Sequence, residues 1–354
     1  LAHGVLRPIM PMTARAFITG LAGVNLREAE RAFLREAQPW GAILFRRNVD
    51  SPEQVRRLTA SVRAELGWNA PILVDQEGGR VQRLGPPHWP SYPAGAAYGR
   101  LYAHSAVRGE RAAFLAGATI AADLIAVGID VDCAPIADVP IPGSHGIIGD
   151  RAYGNTSETV AAVSRAFADG LLSAGVLPVL KHLPGHGRAT ADSHHELPKV
   201  DAELTKLRAS DFAAFRSLSD LPLGMTAHVV YTAVDPIAPA TTSVTVISQV
   251  IRGWIGFGGL LMSDDISMGA LSGSIAARSR AAIAAGCDLV LHCNGELAEM
   301  HEVAGAVPML ARKAATRAEI ALALRGAKTA DVAALRAEFD DLLRATSTVE
   351  TASL

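Results

Sequence analysis

Only three cysteines, Cys133, Cys287 and Cys293, occur in 354 residues. The number is odd and no pair has the short spacing of a zinc site or a disulfide framework, so three buried free thiols are expected. No apolar run approaches the ~18 residues of a membrane span. The first residues lack the basic segment, apolar stretch and small-residue cleavage site of a secretory leader, so a cytoplasmic protein is expected; the start at Leu1 rather than Met leaves an upstream segment open. Charge of one sign is missing too: 33 Lys and Arg stand against 35 Asp and Glu, without a long basic block. That pattern offers nothing to nucleic acid or to a membrane surface and suits a small neutral partner. Neither Gly78-Gly79 nor Gly185-His186-Gly187 has the Gly-x-Gly-x-x-Gly pattern of a dinucleotide-binding turn.

What the chain does have is apolar sequence, 49% of the total, and a strongly periodic layout. Eight strand-length apolar stretches recur: Ala16–Gly20, Gly41–Phe45, Pro71–Asp75, Ile129–Ala134, Leu177–Lys181, Leu223–Thr226, Gly259–Ser263 and Leu289–His292. Helical patterns lie between them. The first has Leu26, Ala29, Phe33, Leu34 and Ala37 on one face, with Asn25 and Glu28 placed as a capping box. The second opens Ser51-Pro52-Glu53-Gln54 and stops at Gly67. Others fit Val107–Val127, Glu158–Ala174, Ala202–Leu218, Val246–Trp254 and Ser274–Ala285. Strand and helix alternating eight times predict parallel strands closed into a single (β/α)8 TIM barrel. After about Pro308 two or three further helices, one over Asp331–Arg344, are expected to pack outside it. The expected division is a catalytic barrel with C-terminal helices over 1–346 and a polar tail over 347–354.

In such a barrel the chemistry sits where strands end. The residues delivered there are Asp75, Asp132, Lys181 with His182, His228, Asp264, and His292 with Asn294. The segment from Lys181 to His195 is the richest. Pro184, Gly185 and Gly187 forbid a helix around His186, which predicts a bent loop at the barrel mouth. Asp192 and His194 are two apart, so in an extended stretch the carboxylate can bond the imidazole, fix its tautomer and make it a general acid/base. The same histidines, His182, His186, His194 and His195, leave a metal-dependent hydrolase open as an alternative. Against it, no His-x-His occurs, and Pro184 and Gly185 spoil a helical His182/His186 pair. The seventh strand ends in Asp264-Asp265; alternation allows one of them to face the barrel axis and does not say which. A carboxylate there, across from an Asp–His pair, is what displacement at a sugar carbon needs.

Lys181-His182-Leu183-Pro184-Gly185-His186-Gly187, followed by Asp192-Ser193-His194, resembles the Lys-His-Phe-Pro-Gly-His-Gly…Asp-Ser-His signature of the β-N-acetylglucosaminidases of glycoside hydrolase family 3. Ser263-Asp264-Asp265 resembles that family's nucleophile strand, and the likeness extends through Asp75–Arg83 and Gly149-Asp150-Arg151. The resemblance implies a retaining exo-enzyme in which Asp264 is the nucleophile and His194, paired with Asp192, the acid/base. It places sugar contacts on Asp75, Arg83, Arg151, Lys181 and His182, with no metal and no cofactor. It further implies a monomer acting on N-acetylglucosamine-bearing 1,6-anhydro-muropeptides in the recycling of cell-wall peptidoglycan; a non-catalytic muropeptide-binding barrel is the other alternative. Two positions depart from the signature: Leu183 replaces Phe, and Arg188 stands where an acidic residue is common, which is expected to alter the mobility of the His194 loop.

Overall fold

Strands that are apolar on both faces must be covered on both, and this decides the architecture. The computed structural model describes residues 10–326 and 331–351. Its eight principal strands are β1 (Arg15–Gly20), β2 (Pro39–Leu44), β3 (Ile72–Val74), β6 (Val131–Asp132), β7 (Leu177–Leu183), β9 (Leu223–Thr226), β11 (Leu260–Asp265) and β12 (Leu289–His292). Every residue of β2 and of β7 is buried. They close as a barrel in the order β1-β2-β3-β6-β7-β9-β11-β12 and back to β1, all neighbours parallel. The chain is a (β/α)8 barrel. A short antiparallel hairpin, β4 (Gln76–Gly78) with β5 (Val81–Gln82), rises from the end of β3, and β8 (Lys199–Val200) pairs with β10 (Val230–Tyr231) over the mouth.

The helices follow from local chemistry. In α2 (Pro52–Leu66) the Ser51 hydroxyl accepts from the Gln54 N–H, Pro52 holds the first position, and Gly67 ends the helix at φ 73°. The start of α1 (Glu28–Ala37) differs from expectation. The capping carboxylate is Glu30, which accepts from the backbone N–H groups of Arg27 and Ala22 at 3.0 Å each, so the box lies two residues later than Asn25/Glu28. Helix α3 (Gly95–His104) was not expected, because Gly95 and Gly99 weaken its helical signal. It is followed by α4 (Ala106–Ala126) and α5 (Ser157–Ala174). The single helix expected over Ala202–Leu218 breaks at Ser210 into α6 (Leu204–Ala209) and α7 (Asp211–Arg216), where Ser210 and Asp211 turn their side chains onto Arg188. Val246–Trp254 is π-helical, and α8 (Ile275–Ala285) starts from a Ser274 cap.

Beyond β12 come α9 (Leu297–Ala306), α10 (Arg312–Leu322) and α11 (Val332–Thr351). Helix α11 lies on α4 through the Arg111–Glu338 and Arg336–Asp123 pairs, with Phe339 beside Tyr98. Its backbone stays helical to Thr351, so most of the expected 347–354 tail is helix and 352–354 lie outside the described residues. The three cysteines are buried and free. No helix among the described residues is long and apolar enough to cross a membrane.

Candidate active site

The carboxyl ends of the strands surround a cavity of about 280 Å³. Asp75, Arg83, Arg151, Lys181, His182, His194 and Asp264 all line it, and Asp192 stands directly behind His194.

One wall is an ionic cradle. Asp75 follows β3, and Lys181 lies within β7. Lys181 Nζ donates to Asp75 Oδ1 at 2.9 Å and lies 2.6 Å from Glu77 Oε1. Arg83 donates to the other Asp75 oxygen at 2.9 Å, and Arg151 grips Glu77 with two parallel bonds of 2.9 and 2.8 Å. Burial alone would raise the pKa of Asp75 and Glu77, yet both are held below the usual carboxylate range, Asp75 by Lys181 and Arg83, Glu77 by Lys181 and Arg151. Burial likewise disfavours the Lys181 ammonium, and Asp75 and Glu77 overcome it, so its pKa is raised. Asp75 lies between β3 and β4 and Glu77 within β4; the role of Glu77 was not anticipated. Lys181 spends two of its three protons on this pair and Arg83 Nε is buried without a partner among the described residues, which leaves donors for a ligand.

The floor is built around Asp138, a second residue that sequence reasoning missed. It sits beyond β6, in a segment with no motif to mark it. Its Oδ2 lies 2.6 Å from His182 Nδ1, and its Oδ1 accepts from the backbone N–H of His186 at 2.6 Å. Burial opposes its charge, and the facing His182 and His186 outweigh that, lowering its pKa. His182 is thereby held with Nε2 toward the cavity. His186, whose pKa is pushed down to about 4 by burial and by His182, contacts Ser193 Oγ at 3.3 Å.

The choice between the two aspartates of β11 is resolved by their partners. Asp265 accepts from Ser267 N–H and hydroxyl and from Cys293 N–H, which ties the turn after β11 to the end of β12. Both line the cavity, and among the described residues Asp264 accepts one bond, from the neighbouring Asp265 N–H at 2.8 Å. Burial raises its pKa, but His228, His182, that N–H and Lys181 together bring it below the ordinary value. His228 itself reaches the Asp265 carbonyl, and His292 turns away to Glu299 together with Asn294. Asp132 is buried beneath the cradle, with burial driving its pKa well up.

Asp192 and His194 do meet, by a different route from the expected extended stretch. The chain turns, so Asp192 Oδ1 accepts both the His194 N–H at 2.9 Å and the Nδ1 bond at 2.7 Å. The His194 side chain is 59% exposed while Asp192 is 19% exposed. His182 and His194 are bonded through Nδ1 and His186 through Nε2, and among the described residues no group of three His, Cys, Asp or Glu side chains is arranged to hold a metal.

A model of the glycosyl hydrolase family 3 N-terminal domain matches residues 13–324. A β-hexosaminidase of Alkalilimnicola ehrlichii is 40% identical over 279 residues, 78% of this chain and 79% of that protein. NagZ from Neisseria gonorrhoeae in complex with N-trifluoroacetyl-D-glucosamine is 32% identical with a TM-score of 0.83, covering 95% of this chain and 99% of that one. The same organism's NagZ in complex with zinc ion superposes with a TM-score of 0.80 at 32% identity, over 95% and 98%.

Proposed function

The chain belongs to glycosyl hydrolase family 3, and from that premise we propose that this glycoside hydrolase removes a terminal β-linked N-acetylglucosamine with retention, through a covalent ester on Asp264. The observation that carries the reading is an ionised, inward Asp264 sharing one cavity with a histidine whose Nδ1 is already committed to Asp192. The cradle of Asp75, Arg83, Arg151, Lys181 and His182 supplies charged donors and acceptors for hydroxyls and an amide carbonyl. Asp264 attacks the anomeric carbon while His194 Nε2–H protonates the departing oxygen. The neutral imidazole then takes a proton from water, which attacks the glycosyl ester and releases Asp264 as carboxylate. Asp192 holds the Nδ1 proton in both halves and stabilises the imidazolium.

The test is turnover of p-nitrophenyl β-N-acetylglucosaminide, with the first-formed anomer read by NMR and a fluorinated slow substrate used to trap the ester. The expected results are a β product, a mass increase on Asp264 and an inert Asp264→Ala. Inversion, or an active Asp264→Ala, refutes the mechanism. A metal-dependent reading remains worth an arm because a related structure holds zinc; loss of activity in EDTA would favour it. For the natural aglycone we propose a 1,6-anhydro-muropeptide met in the cytoplasm during peptidoglycan recycling. The support is the resemblance to the family's β-N-acetylglucosaminidases and a match spanning nearly all of the gonococcal NagZ.

A further inference from the structure

Arg188 departs from the family signature and touches no part of the cavity, yet it is 9% exposed. Its Nε meets Asp211 Oδ2 at 2.5 Å, and its Nη2 donates to Ser210 Oγ at 2.8 Å. Ser210 Oγ in turn donates to Asp211 Oδ2 at 2.7 Å. Asp211 is 1% exposed, and these contacts are what interrupts the helix expected over Ala202–Leu218.

The Arg188 contact lies at the root of the loop that bears His194. The preceding residues are fixed: His186 N–H to Asp138, and the Gly185 carbonyl to the Tyr231 hydroxyl. Directly after Arg188, the Ala189 carbonyl accepts from His145 N–H at 2.8 Å. The tip is held by Ser193, which is buried and meets His186 Nε2 at 3.3 Å, and by two backbone bonds. Gly269 N–H reaches the His194 carbonyl at 3.1 Å and Ala270 N–H the Ser193 carbonyl at 3.2 Å, while Thr190 between root and tip is exposed. His194 is oriented by Asp192, which bonds both its N–H and its Nδ1, and by the course of the backbone from Arg188, along which Ala189 and Ser193 are buried.

We propose that Arg188 is a positioning residue for the acid/base step: its buried pair with Asp211 sets the exit of the loop and so aims His194 at the leaving oxygen. The inference rests on the reading of His194 as acid/base. It predicts a defect confined to proton donation, with Asp264 and the cradle untouched.

The variant of choice is Arg188→Met with Asp211→Asn, which removes both charges and leaves no carboxylate stranded in the interior. It is compared with His194→Ala on two aryl β-N-acetylglucosaminides, one with a dinitrophenyl leaving group that departs unaided and one with phenol, which needs protonation. The expected result is a loss of roughly 10- to 100-fold in kcat/KM on the phenyl substrate. On the dinitrophenyl substrate kcat/KM stays within about twofold, and azide raises turnover by replacing base-activated water. Equal loss on both substrates, or loss on neither, overturns the inference, and a uniform loss with a lowered Tm marks Arg188 as structural only. If the double variant does not fold, Arg188→Lys is read on the same pair. Its single ammonium lacks the fork that spans Ser210 and Asp211, so a smaller but still phenyl-selective loss is expected. If His194→Ala itself shows no preference between the substrates, the acid/base reading fails and this inference with it; selectivity in His194→Ala alone removes only the role of Arg188.

Discussion

Replacing Lys181 with Met tests the electrostatic logic of the cradle. Methionine has a similar length and fills the space, so the change is chiefly the loss of one ammonium. Lys181 is 3% exposed, Asp75 15% and Glu77 6%, so solvent screens these groups little. Removing one partner from a buried charge cluster costs about 3–5 kcal/mol. Arg83 and Arg151 remain on Asp75 and Glu77, which places the expectation at pH 7 toward the lower end, about 3 kcal/mol.

The pH dependence is the discriminating part. In the wild type both carboxyl groups have folded pKa values below their unfolded ones, so the stability they contribute is fully present above the unfolded range. It is lost progressively as pH falls from the unfolded values down through the depressed folded ones. Without Lys181, burial is no longer outweighed and at least one folded pKa rises above the unfolded value. The native variant then takes up a proton that the unfolded chain does not, so its stability increases as pH falls from 7 toward 4 while these groups leave the wild type flat. The measurement is urea unfolding of both proteins at a series of pH values in that window. A deficit that shrinks by at least half toward pH 4 is expected. A deficit that is constant or grows means that the cradle is held by packing and not by charge.

Other perturbations separate site from scaffold. Asp138→Asn can no longer hold His182 in its present tautomer, and a fall of roughly 10- to 100-fold in kcat/KM without a change in fold by circular dichroism is expected. Gly269→Ala puts a Cβ 2.9 Å from the carbonyl oxygens of both His194 and His195, so the loop tip must lift; kcat on a phenyl substrate falls about tenfold with Tm unchanged. Asp130→Ala strips Arg63, Arg325 and the Ile72 N–H of their shared acceptor at the opposite end of the barrel. It is expected to lower stability by about 3 kcal/mol in urea titration and to leave kcat/KM at 25 °C as it was.

Legibility in the sequence followed the physics of each feature. Strands buried on both faces read directly, and the bounds of β9 and β12 coincide with the apolar runs Leu223–Thr226 and Leu289–His292. Residues placed by strand position, such as Asp75, Lys181 and Asp264, followed from the barrel itself. Side chains placed by long-range pairing did not. Glu77 acts through Arg151, 74 residues away, and Asp138 through His182, 44 residues away; neither distance leaves a local pattern. The helix break at Ser210 has the same origin, since its cause is Arg188, 22 residues earlier. The Asp192–His194 pair read correctly as a pair and incorrectly as a strand, because a spacing of two fits an Asp-capped turn as well as an extended chain.

The two halves of the site are built to opposite specifications. Lys181, Asp75, Glu77 and Asp264 stand at or just beyond strand ends, and Lys181 is shared between Asp75 and Glu77, so its rotation would leave both carboxylates without it. Such a cradle is suited to hold the proposed sugar in one pose, while His228, His182 and Lys181 hold the pKa of the buried Asp264 below its ordinary value. His194 is exposed and carried by a loop whose tip is secured by two backbone bonds. A nucleophile needs fixed aim and a constant charge. An acid/base group must face a leaving oxygen and then a water molecule at the same place, and regains from that water the proton it gave. The exposure that would weaken His194 as a structural residue suits the acid/base role proposed for it. On the proposal that Arg188 sets the course of the loop, the aim of the imidazole depends on that root together with the Asp192 bond.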